Sequence, residues 1–201
     1  MMEVRRDERG DYIYYKKPVL SEDNVLSLVK KKPTTREVLA DGTIHQVYYC
    51  KRKFHRLGQE DDVKIIANYT SEGLLQENFM PQRLSKSVSK VTFQKTMFAI
   101  LMGDLSIFSK KLQGEYKKVD GDQYKIYSYE QILNDFGTPD EAYSEESPRL
   151  VYSYILETKS EVDNTKSKTM IIAFTFDENK KVKQGRFDFG SMKMLFDYKD
   201  E

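Results

Sequence analysis

The chain is poor in cysteine. It has one, Cys50, among 201 residues, so it can form no internal disulfide. That fits a reducing compartment, and equally an envelope protein built without bridges. Long hydrophobic runs are also missing: the longest candidate, Met97 to Met102, falls far short of the roughly 18 residues a membrane-spanning helix needs. Ten glycines are scattered, and none opens a helix as a Walker or Rossmann phosphate loop would. Neither sign of charge dominates. Lys and Arg total 33 against 32 Asp and Glu, a net charge of +1, so no broad field draws nucleic acid or anionic lipid. The basic clusters at 30–32, 51–53 and 180–183 read as solvated helix ends and hairpin edges. Residues 1–11 hold no hydrophobic signal region and are expected to fray.

What is present is aromatic. There are 14 Tyr and 11 Phe but no Trp. Hydrophobic residues make up 39% and charged residues 32%, and the mean hydropathy is -0.68. The aromatic content argues against disorder and for a modest core.

The chain also says the same thing twice. SEDNVLSLVKKKPT, IHQVYYCKR and VKIIANYTSEGLLQENF run from Ser21. SYEQILNDFGTPD, PRLVYSYILE and TMIIAFTFDENKKVKQGRF run from Ser128. Ser21 pairs with Ser128, Pro33 with Pro139, Val47 with Val151 and Ile66 with Ile172, at offsets of 107, 106, 104 and 106. Each copy reads as a Ser-capped helix followed by three strands. In the first copy the strands are expected from Ile44 to Phe54, Val63 to Tyr69 and Leu74 to Phe79. In the second they are expected from Leu150 to Leu156, Met170 to Phe176 and Val182 to Phe189. Gly137 is placed to end the second helix in a left-handed conformation, with Pro139 beyond it. Between the copies, Met97, Leu101, Leu105, Phe108 and Leu112 make one stripe of an amphipathic helix. Met192 to Phe196 are expected to close the C-terminus.

These spacings predict an α+β fold: two tandem helix-plus-antiparallel-sheet repeats joined by a helical insertion. The first repeat covers residues 12–83, the connector 84–123 and the second repeat 124–201.

The second copy resembles the SmpA/OmlA (BamE-like) family of small bacterial envelope proteins. The resemblance is carried by Phe136-Gly137-Thr138-Pro139, Tyr152 to Tyr154, Phe176-Asp177 and Val182. The tandem layout is similar to that of the β-lactamase inhibitory protein. The first copy departs from the pattern, with Lys32 before Pro33 and Ser71-Glu72-Gly73 at the turn. The resemblance implies a non-catalytic protein-binding or scaffolding role in the periplasm or cell envelope. Any membrane attachment would come through a lipid anchor outside this chain. A cytosolic regulator or inhibitor is the alternative.

Chemical motifs are sparse. His45, Cys50 and His55 include both histidines and the only thiol. On one extended strand the two histidines would lie about 33 Å apart, with Cys50 facing the other way. One zinc, with ligands about 2 Å away, cannot bridge that span. No metal, cofactor or thiol chemistry is expected, and Cys50 reads as a half-buried strand thiol. The paired carboxylates Asp61-Asp62, Asp140-Glu141 and Glu145-Glu146 fall in loops or turns. They carry the competing reading of a hydrolase. For the binding reading, the candidate contact residues are Tyr48, Tyr49, Tyr69, Tyr152 and Tyr154, since Tyr gives large contact area at low entropy cost. Strand alternation sets Tyr48 and Tyr49 on opposite faces and Tyr152 and Tyr154 on the same one. The expected partner is another protein, with no nucleic acid and no small-molecule cofactor.

Overall fold

The computed structural model describes residues 2–53, 62–85, 126–143, 148–157, 170–190 and 192–198, and the backbone course of 111–116. Among these residues fifteen elements follow in chain order. They are β1 (Met2–Arg6), β2 (Gly10–Tyr15), α1 (Glu22–Val29), β3 (Thr35–Val38), β4 (Ile44–Arg52), β5 (Val63–Tyr69), β6 (Leu75–Pro81) and α2 (Gln82–Ser85), then β7 (Lys111–Tyr116), α3 (Tyr129–Phe136), β8 (Glu141–Tyr143), β9 (Arg149–Leu156), β10 (Met170–Phe176), β11 (Val182–Phe189) and β12 (Met192–Tyr198).

All twelve strands belong to one sheet, ordered β1-β2-β6-β5-β4-β9-β10-β11-β12-β7, with β3 beside β4 and β8 beside β9. Pairing is antiparallel throughout except between β12 and β7. This overturns the expected α+β fold of two helix-plus-sheet repeats and a helical insertion. The chain is mostly β, and its sheet curls into a half-barrel. The described helices are single short segments of eight, four and eight residues. The physical reason lies in β4. Its N-terminal half pairs with β3, and its C-terminal end pairs with β9 through Cys50↔Leu156, Lys51↔Ile155 and Arg52↔Tyr154. An open strand edge there would expose unpaired backbone groups, and the two halves satisfy each other's instead. The amphipathic stripe from Met97 lies outside the described residues except at its end, where Leu112 is in strand β7.

Local devices do recur at the spacing seen in the sequence. Ser21 and Ser128 each close a capping box, with Asn24 and Gln131 as the reciprocal partners. Each helix is then pinned to a hairpin turn. The Glu22 amide donates to the Gly73 carbonyl at 3.1 Å, and the Tyr129 amide donates to the Lys180 carbonyl at 2.9 Å. Gly73 and Lys180 both take positive φ, 75° and 57°, so the two turns share a shape although only one carries glycine. At the helix ends the copies differ. Lys30 takes the left-handed conformation (φ 60°, ψ 13°), whereas Gly137 has φ 72° with ψ -158°. The positive φ expected of Gly137 is present, but its extended ψ lies in a region essentially reserved for glycine.

The core lies on the helix-bearing face. Val29, Ile132 and Phe136 pack there with Tyr48, Tyr69, Leu150, Tyr152, Phe174 and Phe176. Curvature brings distant strands together on this side. The strand order places β11 three strands from β4, about 14 Å at ordinary strand spacing. The Tyr48 and Phe189 rings nonetheless meet edge to face at 6.0 Å.

The N-terminal residues are not frayed. β1 and β2 form a hairpin that continues the sheet, with Met2 and Val4 in the core. Asp11 is fully buried and takes two bonds from Arg6, 2.7 Å from Nε and 2.8 Å from Nη2. This bidentate pair holds a charged segment that composition alone marks as solvated.

Gly190, in the turn after β11, lies close against the end of α1. Its φ is +60°, and a Cβ placed on it would stand 1.9 Å from the Val29 carbonyl oxygen at the end of α1. We predict that Gly190→Ala lowers stability by more than about 2 kcal/mol, combining overpacking with the left-handed penalty. Denaturant unfolding checks this, and a midpoint equal to wild type would show that α1 does not bear on β11.

Candidate functional site

Two constellations of polar side chains stand out. The first is built at the β4–β9 seam around Arg52. Its side chain is 1% exposed and that of Asp140 is 2% exposed, with Nε 3.3 Å from Asp140 Oδ1. Nη2 donates to the Thr138 carbonyl at 2.7 Å and Nη1 to the Tyr154 hydroxyl at 3.4 Å. The guanidinium carbon sits 4.5 Å from the Tyr152 ring centroid and 5.3 Å from that of Tyr154. The other Asp140 oxygen accepts the Ser153 amide. Asp62 completes the frame from the opposite side. It accepts the Arg52 amide at 3.1 Å and the Tyr49 hydroxyl at 2.7 Å.

This accounts for most of the tyrosines expected at a contact surface. Tyr48, Tyr69, Tyr152 and Tyr154 are buried core residues and present no ring to a partner. Tyr152 donates its hydroxyl to the Gly137 carbonyl at 3.2 Å, tying β9 to the end of α3. Burial pushes the Tyr48 phenol up to about 12, and it raises those of Tyr15, Tyr69 and Tyr152 as well. Tyr49 is half-buried and held by Asp62. The alternation argument does hold for Tyr48 and Tyr49. It also holds for Tyr152 and Tyr154, which share a face, but that face is the core, and Val151 and Ser153 on the other face are buried too.

The described carboxylates among those singled out for hydrolysis are equally engaged. Asp140 belongs to the seam, and Glu141 accepts the Tyr143 hydroxyl at 2.8 Å. Asp61, Glu145 and Glu146 lie outside the described residues, as does His55. His45 Nδ1 is 2.7 Å from Asn68 Oδ1. No group of three or more potential metal ligands occurs among the described residues. Cys50 is fully buried rather than half-buried, and burial, with a smaller effect from the Asp62 charge, pushes its thiol up to about 12.

The second constellation is a cleft of about 430 Å³ on the sheet face opposite the helices. Strand alternation builds it. Ile172, Phe174 and Phe176 of β10 face the core, so Ala173 and Thr175 face away. Thr175 lies in register with Arg149 of β9 and Gln184 of β11. Asp188 lies in register with Lys193 of β12. Arg186 stands between these rows, its Nε 2.9 and 3.0 Å from the two Asp188 oxygens, which raises the guanidinium pKa further. Gln184 donates to Asp197 at 2.5 Å. Arg149 and Lys193 have no ion-pair partner among the described residues, so the cleft carries uncompensated positive charge. Sequence reading passes over these residues because each looks like an ordinary solvated strand position. Only the pairing of four strands assembles them.

No family model matches the chain, and neither a curated protein nor a solved structure matches it.

Two outcomes follow from the seam. Arg52→Ala strands a buried carboxylate and is predicted to destabilise the protein by about 3–5 kcal/mol, whereas Arg52→Met with Asp140→Asn costs clearly less. Equilibrium unfolding of the two variants checks the order, and equal losses would contradict a buried pair. Separately, Cys50 is predicted to stay unreactive toward a thiol reagent at pH 8 in the native protein and to react fully once unfolded.

Proposed function

We propose that this protein is a non-catalytic binding protein that holds another protein against the sheet face opposite its helices. The observation that carries the reading is the β9–β12 cleft. There, Arg149 and Lys193 stand without ion-pair partners among the described residues, beside the hydroxyl of Thr175 and the amide of Gln184. Fixed polar groups on a rigid sheet give orientation and specificity without moving parts. The half-barrel supports them from behind: the strands that present the cleft bury Phe174, Phe176 and Phe189 on their other face. The resemblance to envelope assembly and inhibitor proteins supports the same role, and a place in the bacterial periplasm or cell envelope. It no longer points to the tyrosines as the contact residues, since four of the five are core.

Thr175→Tyr keeps a strand-favouring residue but fills the cleft with a ring. Wild-type protein is predicted to retain a stoichiometric partner protein from an envelope fraction, and Thr175→Tyr is predicted to lose it at an unchanged melting temperature. Retention of the same partner by the variant would remove the cleft from the account. Turnover of a small substrate by the purified protein would contradict the non-catalytic reading.

A further inference from the structure

The charges in the cleft have a definite layout. At its centre Arg186 and Asp188 neutralise each other. Arg149 and Lys193 stand at diagonally opposite ends. Arg149 is in register with Thr175, Gln184 and, through Gln184, Asp197 of β12. Lys193 is in register with Asp188 and, through it, Ile171 of β10 and Ser153 of β9. The two cations are therefore three strand spacings apart across the sheet and four residues apart along it. Ordinary strand geometry makes that about 20 Å. About six residues of extended chain cover the same distance.

We infer that the cleft takes an extended segment of an acidic partner, whose carboxylates dock on Arg149 and Lys193 at either end while its backbone crosses the Arg186–Asp188 pair. This rests on the binding reading above and adds the chemistry of what is bound. An extended peptide suits the centre better than a polyanion does. Asp188 keeps acceptor capacity for a peptide N–H, and Gln184 and Thr175 offer both donors and acceptors. A nucleic-acid backbone would carry a phosphate charge across the neutral Arg186–Asp188 centre, where no free cation meets it. The whole chain, at a net charge of +1, adds no field to offset that cost.

The direct test is fluorescence anisotropy on the full chain, with a labelled peptide carrying glutamates at both ends of four small neutral residues. The same peptide with glutamines in place of the glutamates, and a short oligothymidylate, serve as comparisons. The acidic peptide is expected to bind best, and more tightly as salt is lowered. Lys193→Gln alters an exposed side chain and leaves the fold intact. It should weaken binding several-fold, and Arg149→Gln with Lys193→Gln should weaken it roughly tenfold or more. Equal binding of the glutamate and glutamine peptides, preference for the oligothymidylate, or no change in the Lys193→Gln variant would each overturn the inference. If the acidic peptide fails while a partner sensitive to Thr175→Tyr is still retained, the binding reading stands and only the acidic ligand falls.

Discussion

A guanidinium buried over two neighbouring tyrosine rings is the constraint on which the described structure turns. Arg52 leaves water almost completely, and so does its carboxylate partner Asp140. Removing an ion from water costs several kcal/mol even after the protein relaxes. The cost is offset only where every donor finds an acceptor and the apolar surroundings are themselves favourable. Here the acceptors are Asp140, the Thr138 carbonyl and the Tyr154 hydroxyl, and the surroundings are the faces of Tyr152 and Tyr154. Arg52 comes from one half of the sequence and all the others from the second. The pair can therefore form only when β4 and β9 lie side by side, and it selects one continuous sheet over two separate ones. The curvature follows. With the seam fixed, the strands on either side bend toward the helices, and Phe189 reaches Tyr48.

Much of this was legible in the sequence where the determinant was local. The expected spans of β5 and β10 match the structure residue for residue, because Val63 to Tyr69 and Met170 to Phe176 are mostly apolar, strand-favouring runs bounded by polar and turn residues. Ser21 and Ser128 cap helices as their neighbours dictate. What was not legible depends on distant partners. The Met2–Arg6 strand is charged and exists because Arg6 neutralises a buried Asp11 and β2 pairs with β6. Lys111–Tyr116 is a strand because β12, far along the chain, offers it a parallel edge. No periodicity within either segment records that. The fold class failed for the same reason: repeats predict units, and only the seam decides whether the units share a sheet.

The site was misjudged through the tyrosines. Tyr suits a half-buried face, and the pattern of β9 reads equally well as a surface strand or as a strand covered on both sides. The structure takes the second course, with Val151 and Ser153 buried behind Tyr152 and Tyr154. The aromatic residues thus serve the seam, and the proposed cleft uses polar side chains on the other face of β9–β12, away from the covered Val151 and Ser153. Under the proposed function, stability and recognition fall on the two faces of the same strands. Arg149 shows the division: it begins the strand whose Tyr152 and Tyr154 lie under Arg52, yet its own side chain lines the cleft.

Native-state hydrogen exchange at the seam reports most directly on the central claim, that the two halves are one cooperative structure. The amide of Lys53 donates to the Ser153 carbonyl at 2.9 Å, and that of Glu157 donates to the Tyr49 carbonyl at 2.8 Å, so both cross from one half to the other. If the buried cation locks the sheet, these amides exchange only through global unfolding, with the same free energy as core amides of β5 and β10. Exchange of Lys53 and Glu157 through a much cheaper local opening, with the cores of both halves still protected, would show two units merely in contact and would contradict the account.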